Sequence, residues 1–119
     1  MKSYTDLEQS KKLAEILPLE SADNYYSWHD DRYYVVNKDC PYPYSLKEKI
    51  PCWSIAALFD VLPEYIKFDG HTWKFYSDHY GVYYMNADTY DTNTFSANND
   101  NPVDSCVEMI IKLHELKML

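Results

Sequence analysis

The chain has 119 residues, 46% of them hydrophobic, and a formal net charge of -8. That length suits one domain with one core, and the apolar fraction excludes a disordered chain. The excess of acids disfavours direct binding to nucleic acid or to anionic membrane, because phosphates are repelled.

No N-terminal apolar segment and no apolar run near the ~20 residues of a membrane span is present, so a soluble cytoplasmic protein is expected. Three cysteines, Cys40, Cys52 and Cys106, are spaced too widely for a CxxC site and cannot all pair within one chain. They read as buried, reduced thiols. Thirteen tyrosines and two glycines set the style of the fold. Tyrosine suits half-buried strands, and scarce glycine leaves the turns to Asp, Asn and longer loops.

The first element is a helix over residues 6–17. Thr5 and Glu8 form a Thr-x-x-Glu capping box, and Pro18 ends the helix. Leu7, Ala14 and Leu17 fall at helical spacing, with Leu13 and Ile16 beside them. Glu8, Lys11, Lys12 and Glu15 make the other face. Tyr25-Tyr26-Ser27-Trp28 and Arg32-Tyr33-Tyr34-Val35-Val36 then read as a β-hairpin turning near Asp30-Asp31. Residues 39–50 read as a loop, since Pro41 and Pro43 cannot donate to a ladder.

Pro51 and Pro63 bracket a short apolar helix capped by Ser54. Its apolar residues run nearly all round, which predicts a central buried helix that the rest of the chain covers. Trp53, Ile55, Leu58, Phe59 and Leu62 are the expected core. Strands follow at residues 64–68, 71–76, 80–85 and 92–97, with Asp69-Gly70 and Ser77-Asp78 as turns. Gly81 marks a bulge or a close approach. The last helix is capped by Asp100 or Asn101, with Pro102 at its first position. Val103, Cys106, Val107, Ile110 and Leu113 form its inward stripe. It runs almost to Leu119, so no tail domain is expected. The order α-ββ-α-β(ββ)-α predicts a single α+β domain over residues 1–119, an antiparallel sheet carrying three helices.

Three segments share a resemblance. They are residues 6–18 with Ser21-Ala22-Asp23, then Ile50-Pro51-Cys52-Trp53-Ser54-Ile55-Ala56-Ala57-Leu58, then Asp100-Asn101-Pro102-Val103-Asp104-Ser105-Cys106-Val107-Glu108-Met109-Ile110. In that order they span nearly the whole chain, which resembles a group of short uncharacterised proteins of gut Bacteroides-type genomes and their phages and mobile elements. The resemblance implies an accessory protein of such an element. It carries over no catalytic residue and no cofactor.

No glycine-rich phosphate loop, GxSxG, HExxH or EF-hand pattern is present, which leans against an enzyme. His71, Asp78 and His79 would bind a metal only if they converged, and they lack ligand spacing. His29 with Asp30 and Asp31 reads as a solvated hairpin tip. Asn86, Asp88, Asp91 and Asn93 lack the spacing and glycine of a calcium loop, so they read as a solvated turn. Cys52 and Cys106 border apolar helices and read as small core residues, not nucleophiles. His114 reads as a helix C-terminal cap.

The tyrosines remain as the surface hint. Tyr25, Tyr26, Trp28, Tyr33, Tyr34, Tyr42 and Tyr44 crowd one third of the chain. Some are expected in the core, and strand alternation turns every second one outward. Exposed Tyr and Trp make contact surfaces that bury much area at low entropy cost. The expected function is therefore a non-enzymatic protein–protein interaction, and a homodimer through the hairpin is one form of it. The charge of -8 supports an acidic nucleic-acid mimic as an alternative. A small enzyme or carbohydrate binder using aromatic faces and acids is the other, and glycosidase chemistry would need two carboxylates across a cleft.

Overall fold

A computed structural model of the chain describes residues 2–29, 31–39, 49–79 and 81–119. The fold is α+β, with three helices and two antiparallel sheets. The elements are α1 (Leu7–Ile16), a 3-10 turn (Leu19–Ser21), β1 (Asn24–His29), β2 (Arg32–Asn37), β3 (Ile50–Cys52), α2 (Ile55–Val61), β4 (Tyr65–Phe68), β5 (His71–Asp78), β6 (Gly81–Asn86), β7 (Phe95–Ala97) and α3 (Pro102–Glu115). The first sheet has the order β2-β1-β3 and the second β4-β5-β6-β7.

The capping box of α1 lies one residue later than the sequence reading placed it. The Asp6 carboxylate accepts from the Gln9 N–H at 2.8 Å, and Gln9 Oε1 accepts from the Asp6 N–H at 3.1 Å. Thr5 is fully buried instead and works across the fold. Its N–H donates to the Trp53 carbonyl, and its hydroxyl accepts from the Trp53 N–H at 3.2 Å and bonds the Ser10 hydroxyl at 2.7 Å.

β3 is a strand that the proline pattern hid. Hydrogen-bonded and open positions alternate along an antiparallel pair. The Lys38 N–H donates to the Asp23 carbonyl, so odd-numbered β1 positions bond towards β2 and even-numbered ones towards β3. Pro51 stands opposite Tyr25, where its missing N–H breaks no ladder bond.

The ends of α2 match expectation: Ser54 Oγ accepts from the Ala57 N–H, and the helix stops before Pro63. Its place in the core does not. Trp53, Leu58 and Leu62 are buried, but Ile55 is half-buried and Phe59 is 36% exposed. A helix of seven residues has one covered side, and Phe59 sits at its rim, edge-on to Phe75 with centroids 5.9 Å apart. The element buried along its length is α3. Val103, Ser105, Cys106, Val107, Met109, Ile110 and Leu113 are all buried, and α3 packs on β6, β7, α2 and α1. Asn101 caps it, accepting from the Asp104 N–H at 2.9 Å, with Pro102 following.

The inner face of the second sheet carries Ile66, Trp73, Val82, Tyr84, Phe95 and Ala97. Phe95 meets Phe68, Trp73 and Tyr84 edge-on. The buried Tyr84 hydroxyl donates to the Pro63 carbonyl at 2.6 Å, which keeps it satisfied and ties the exit of α2 to the sheet. Asp69 and Gly70 both have positive φ, as an Asp-Gly hairpin turn requires.

Gly81 makes the expected close approach. Its φ is +151°, and a Cβ there would lie 2.0 Å from the Ala97 carbonyl oxygen. Gly81→Ala should lower stability by about 2 kcal/mol or more, since strained backbone and steric overlap add. Urea unfolding would detect it, and an unchanged midpoint would contradict the contact.

Lys2 bridges Asp6 at 3.0 Å and Asp104 at 2.7 Å, joining the start of α1 to the start of α3. The Lys2 ammonium holds the Asp104 carboxyl below its ordinary range, and hydrogen bonds from Gln9 and Asn101 add to this. A depressed carboxyl stabilises the fold above its unfolded pKa and loses that contribution as pH falls through its folded pKa. The partners are partly exposed, so Lys2→Gln should cost about 0.5–1 kcal/mol at neutral pH. The deficit should shrink in acid, below about pH 4, as the two carboxylates take up protons. Urea unfolding at neutral and acid pH tests this.

Candidate functional site

The hairpin β1–β2 lies outside the core: among the described residues, no β1 or β2 side chain belongs to the central hydrophobic cluster. The expectation that some hairpin tyrosines are core is therefore corrected for those described, and among the described residues the fully buried tyrosine is Tyr84. The reason is topological. The first sheet meets the helices through β3, and β1 and β2 extend away from that seam.

Residues opposite one another in the register share a face. Tyr25, Ser27, Tyr34, Val36 and Pro51 lie on one face, and Tyr26, Trp28, Tyr33, Val35 and Ile50 on the other. On the second face Trp28 meets Tyr33 edge-on at 4.9 Å, and Tyr26 meets Tyr33 at 6.3 Å. Trp28 is 42% exposed. Tyr26 anchors the base of the hairpin, donating to the Thr5 carbonyl at 2.7 Å. Burial pushes its phenol up to about 12.

On the first face the Arg32 guanidinium sits 4.8 Å from the Tyr34 ring centre and donates to its hydroxyl. The Lys49 ammonium sits 4.5 Å from the Tyr25 ring centre. Ser27 is buried, and its hydroxyl has no hydrogen-bond partner among the described residues. The structure thus brings together Tyr25 and Tyr34 on one side and Tyr26, Trp28 and Tyr33 on the other. Tyr42 and Tyr44 lie outside the described residues. The cations Arg32 and Lys49, which sit against the Tyr34 and Tyr25 rings, carry no signal of those contacts along the chain.

A second aromatic surface also escaped the sequence reading. The outer face of the four-stranded sheet carries Tyr76 stacked on Tyr83, with centroids 5.7 Å apart and Lys74 beside them. Tyr65 on the edge strand β4 is 53% exposed. The period-2 pattern of β4 to β6 was the signal that could have found it.

Among the described residues the polar groups singled out from the sequence are spread apart or engaged in turns. His71 and Asp78 stand at opposite ends of the eight-residue β5. His71 Nδ1 pairs instead with the Asp88 carboxylate at 2.7 Å, and Asp78 accepts from the Gly81 N–H. Asn86 Oδ1 accepts from the N–H groups of Asp88 and Thr89. Asp91 accepts from the Asn93 and Thr94 N–H groups and from the Thr94 hydroxyl, which holds its carboxyl below the ordinary range. These oxygens stitch the 86–94 loop. No group of three His, Cys, Asp or Glu suited to a metal occurs among the described residues. Asp30 and the His29 side chain lie outside them. His114 is exposed, with Nδ1 3.2 Å from the Leu119 carbonyl oxygen.

Cys52 and Cys106 are free and fully buried. Burial raises the Cys52 thiol and pushes the Cys106 thiol up to about 12, the reverse of what a nucleophile needs. In a Cys40→Ser background, native protein at pH 8 should take up no iodoacetamide over hours, while urea-unfolded protein should gain two adducts by intact mass. A native adduct would overturn this assignment.

Comparison of the chain with protein-family models, with curated proteins and with solved structures gives no match.

Proposed function

We propose that the chain is a non-enzymatic protein-interaction module, an accessory factor of a phage or mobile element, that takes up a protein partner on the β1–β2 hairpin. One observation carries this reading: among the described residues, β2 has an open edge. The ladder parity turns the N–H and C=O groups of Tyr33, Val35 and Asn37 away from β1, and among the described residues no strand pairs with them. An edge of six residues without proline or internal lysine is a template for another strand. The edges of the second sheet are better guarded: β4 contains Lys67, and β7 is three residues long. An extended segment added to β2 would gain main-chain bonds, and its alternate side chains would meet the aromatic residues on either face.

Val35→Pro tests the reading. It removes one outward N–H and breaks no bond to β1, because the Val35–Tyr26 pair is an open position. Pull-downs from host lysate should show proteins held by the wild type and depleted at least tenfold with Val35→Pro, at unchanged circular dichroism. Identical retention by both proteins counts against the hairpin edge. Light scattering separates the homodimer case, in which the wild type is a dimer and the variant a monomer.

A further inference from the structure

We infer that the groove between the Leu19–Ser21 turn and strands β1 and β3 binds a small amphipathic carboxylate, an apolar chain with one anionic end. The groove encloses about 530 Å³, within the size range of small-molecule sites. Ala14, Leu19, Ala22 and Pro51 give it an apolar lining, and Leu19 is left 60% exposed there. Lys38 and Lys49 stand on its walls.

Charge decides the class of ligand. The chain carries 19 acids against 11 bases. Even so, among the described residues the groove is lined by two lysines, Lys38 and Lys49, and one acid, Glu20. Among the described residues neither lysine makes an ion pair. Lys49 is instead placed over the Tyr25 ring, which holds its ammonium at the groove with charge to spare for an anion. The neighbouring cavity of about 600 Å³ shares Glu20 and Lys38 but adds Asp23 and Asp60, so its balance is acidic and it repels the same ligand. A carboxylate end between the lysines and a hydrocarbon body on Leu19, Ala22 and Pro51 satisfies both parts of the groove. This site shares Tyr25 with the first face of the hairpin but makes no use of the β2 main chain.

Octanoate is the probe, followed by amide chemical shifts in NMR titration. Saturable shifts should centre on Ala14, Leu19, Tyr25 and Lys49. Octanamide, with the same chain and no charge, should bind at least tenfold more weakly, and so should octanoate to a Lys38→Gln/Lys49→Gln variant. A Lys11→Gln/Lys12→Gln variant should bind octanoate like the wild type. Added salt should weaken octanoate and leave octanamide unchanged. Absent or scattered shifts, equal binding of octanamide, or undiminished binding by Lys38→Gln/Lys49→Gln would each overturn the proposal.

Discussion

The buried bonds of Thr5 hold the two parts of the molecule in register. Its N–H and hydroxyl both engage the Trp53 backbone, its hydroxyl reaches Ser10 on α1, and its carbonyl accepts from Tyr26 on β1. Trp53 lies between β3 and α2 and is fully buried, with its indole N–H donating to Ser21. One short N-terminal segment therefore satisfies polar groups of α1, β1 and the β3–α2 junction at once. Buried groups of this kind are costly to leave unpaired, which makes the arrangement specific. Cys52 completes the cluster through weak sulfur contacts with Thr5.

The placement of the hairpin follows from that seam. Among the described residues β3 pairs with three residues of β1, and beyond Tyr26 the ladder has β2 beside it. The hairpin stays ordered through its own cross-strand aromatic contacts and through Arg32 and Lys49 on tyrosine rings. Among the described residues nothing pairs with the β2 main chain along its outer side. The groove under Tyr25 arises at the other margin, where the turn after α1 passes the sheet without filling the space beside it.

The second sheet shows the opposite economy. α3 covers its inner face, and Phe95, Trp73 and Tyr84 interlock beneath the helix. The acids and amides of its long loop cap their own backbone, and its histidine at the first turn is paired with Asp88. Groups that would count as candidate ligands in a linear reading are thereby committed to holding turns. The stacked pair Tyr76–Tyr83 on the outer face is the part of this sheet that faces away from the core.

Local signals determined the helices, their ends and most of the strands. Ser54, Asn101 and Pro102 act where their chemistry allows, Asp69-Gly70 turns with positive φ, and Gly81 meets a neighbouring backbone. These are short-range effects of capping, proline and glycine geometry, so they are legible along the chain. Tertiary structure decided what depends on contacts far apart in sequence. Thr5 left its capping box for Trp53, Pro51 found an open position in a strand, and α3 displaced α2 as the most buried helix. It also decided that the strands split into two sheets, which put the tyrosines of β1 and β2 on a projecting hairpin, set lysines beside a groove and kept His71 from Asp78. The physical reason is that register and burial are set by pairing between segments, and a single residue's propensity carries no record of its partner.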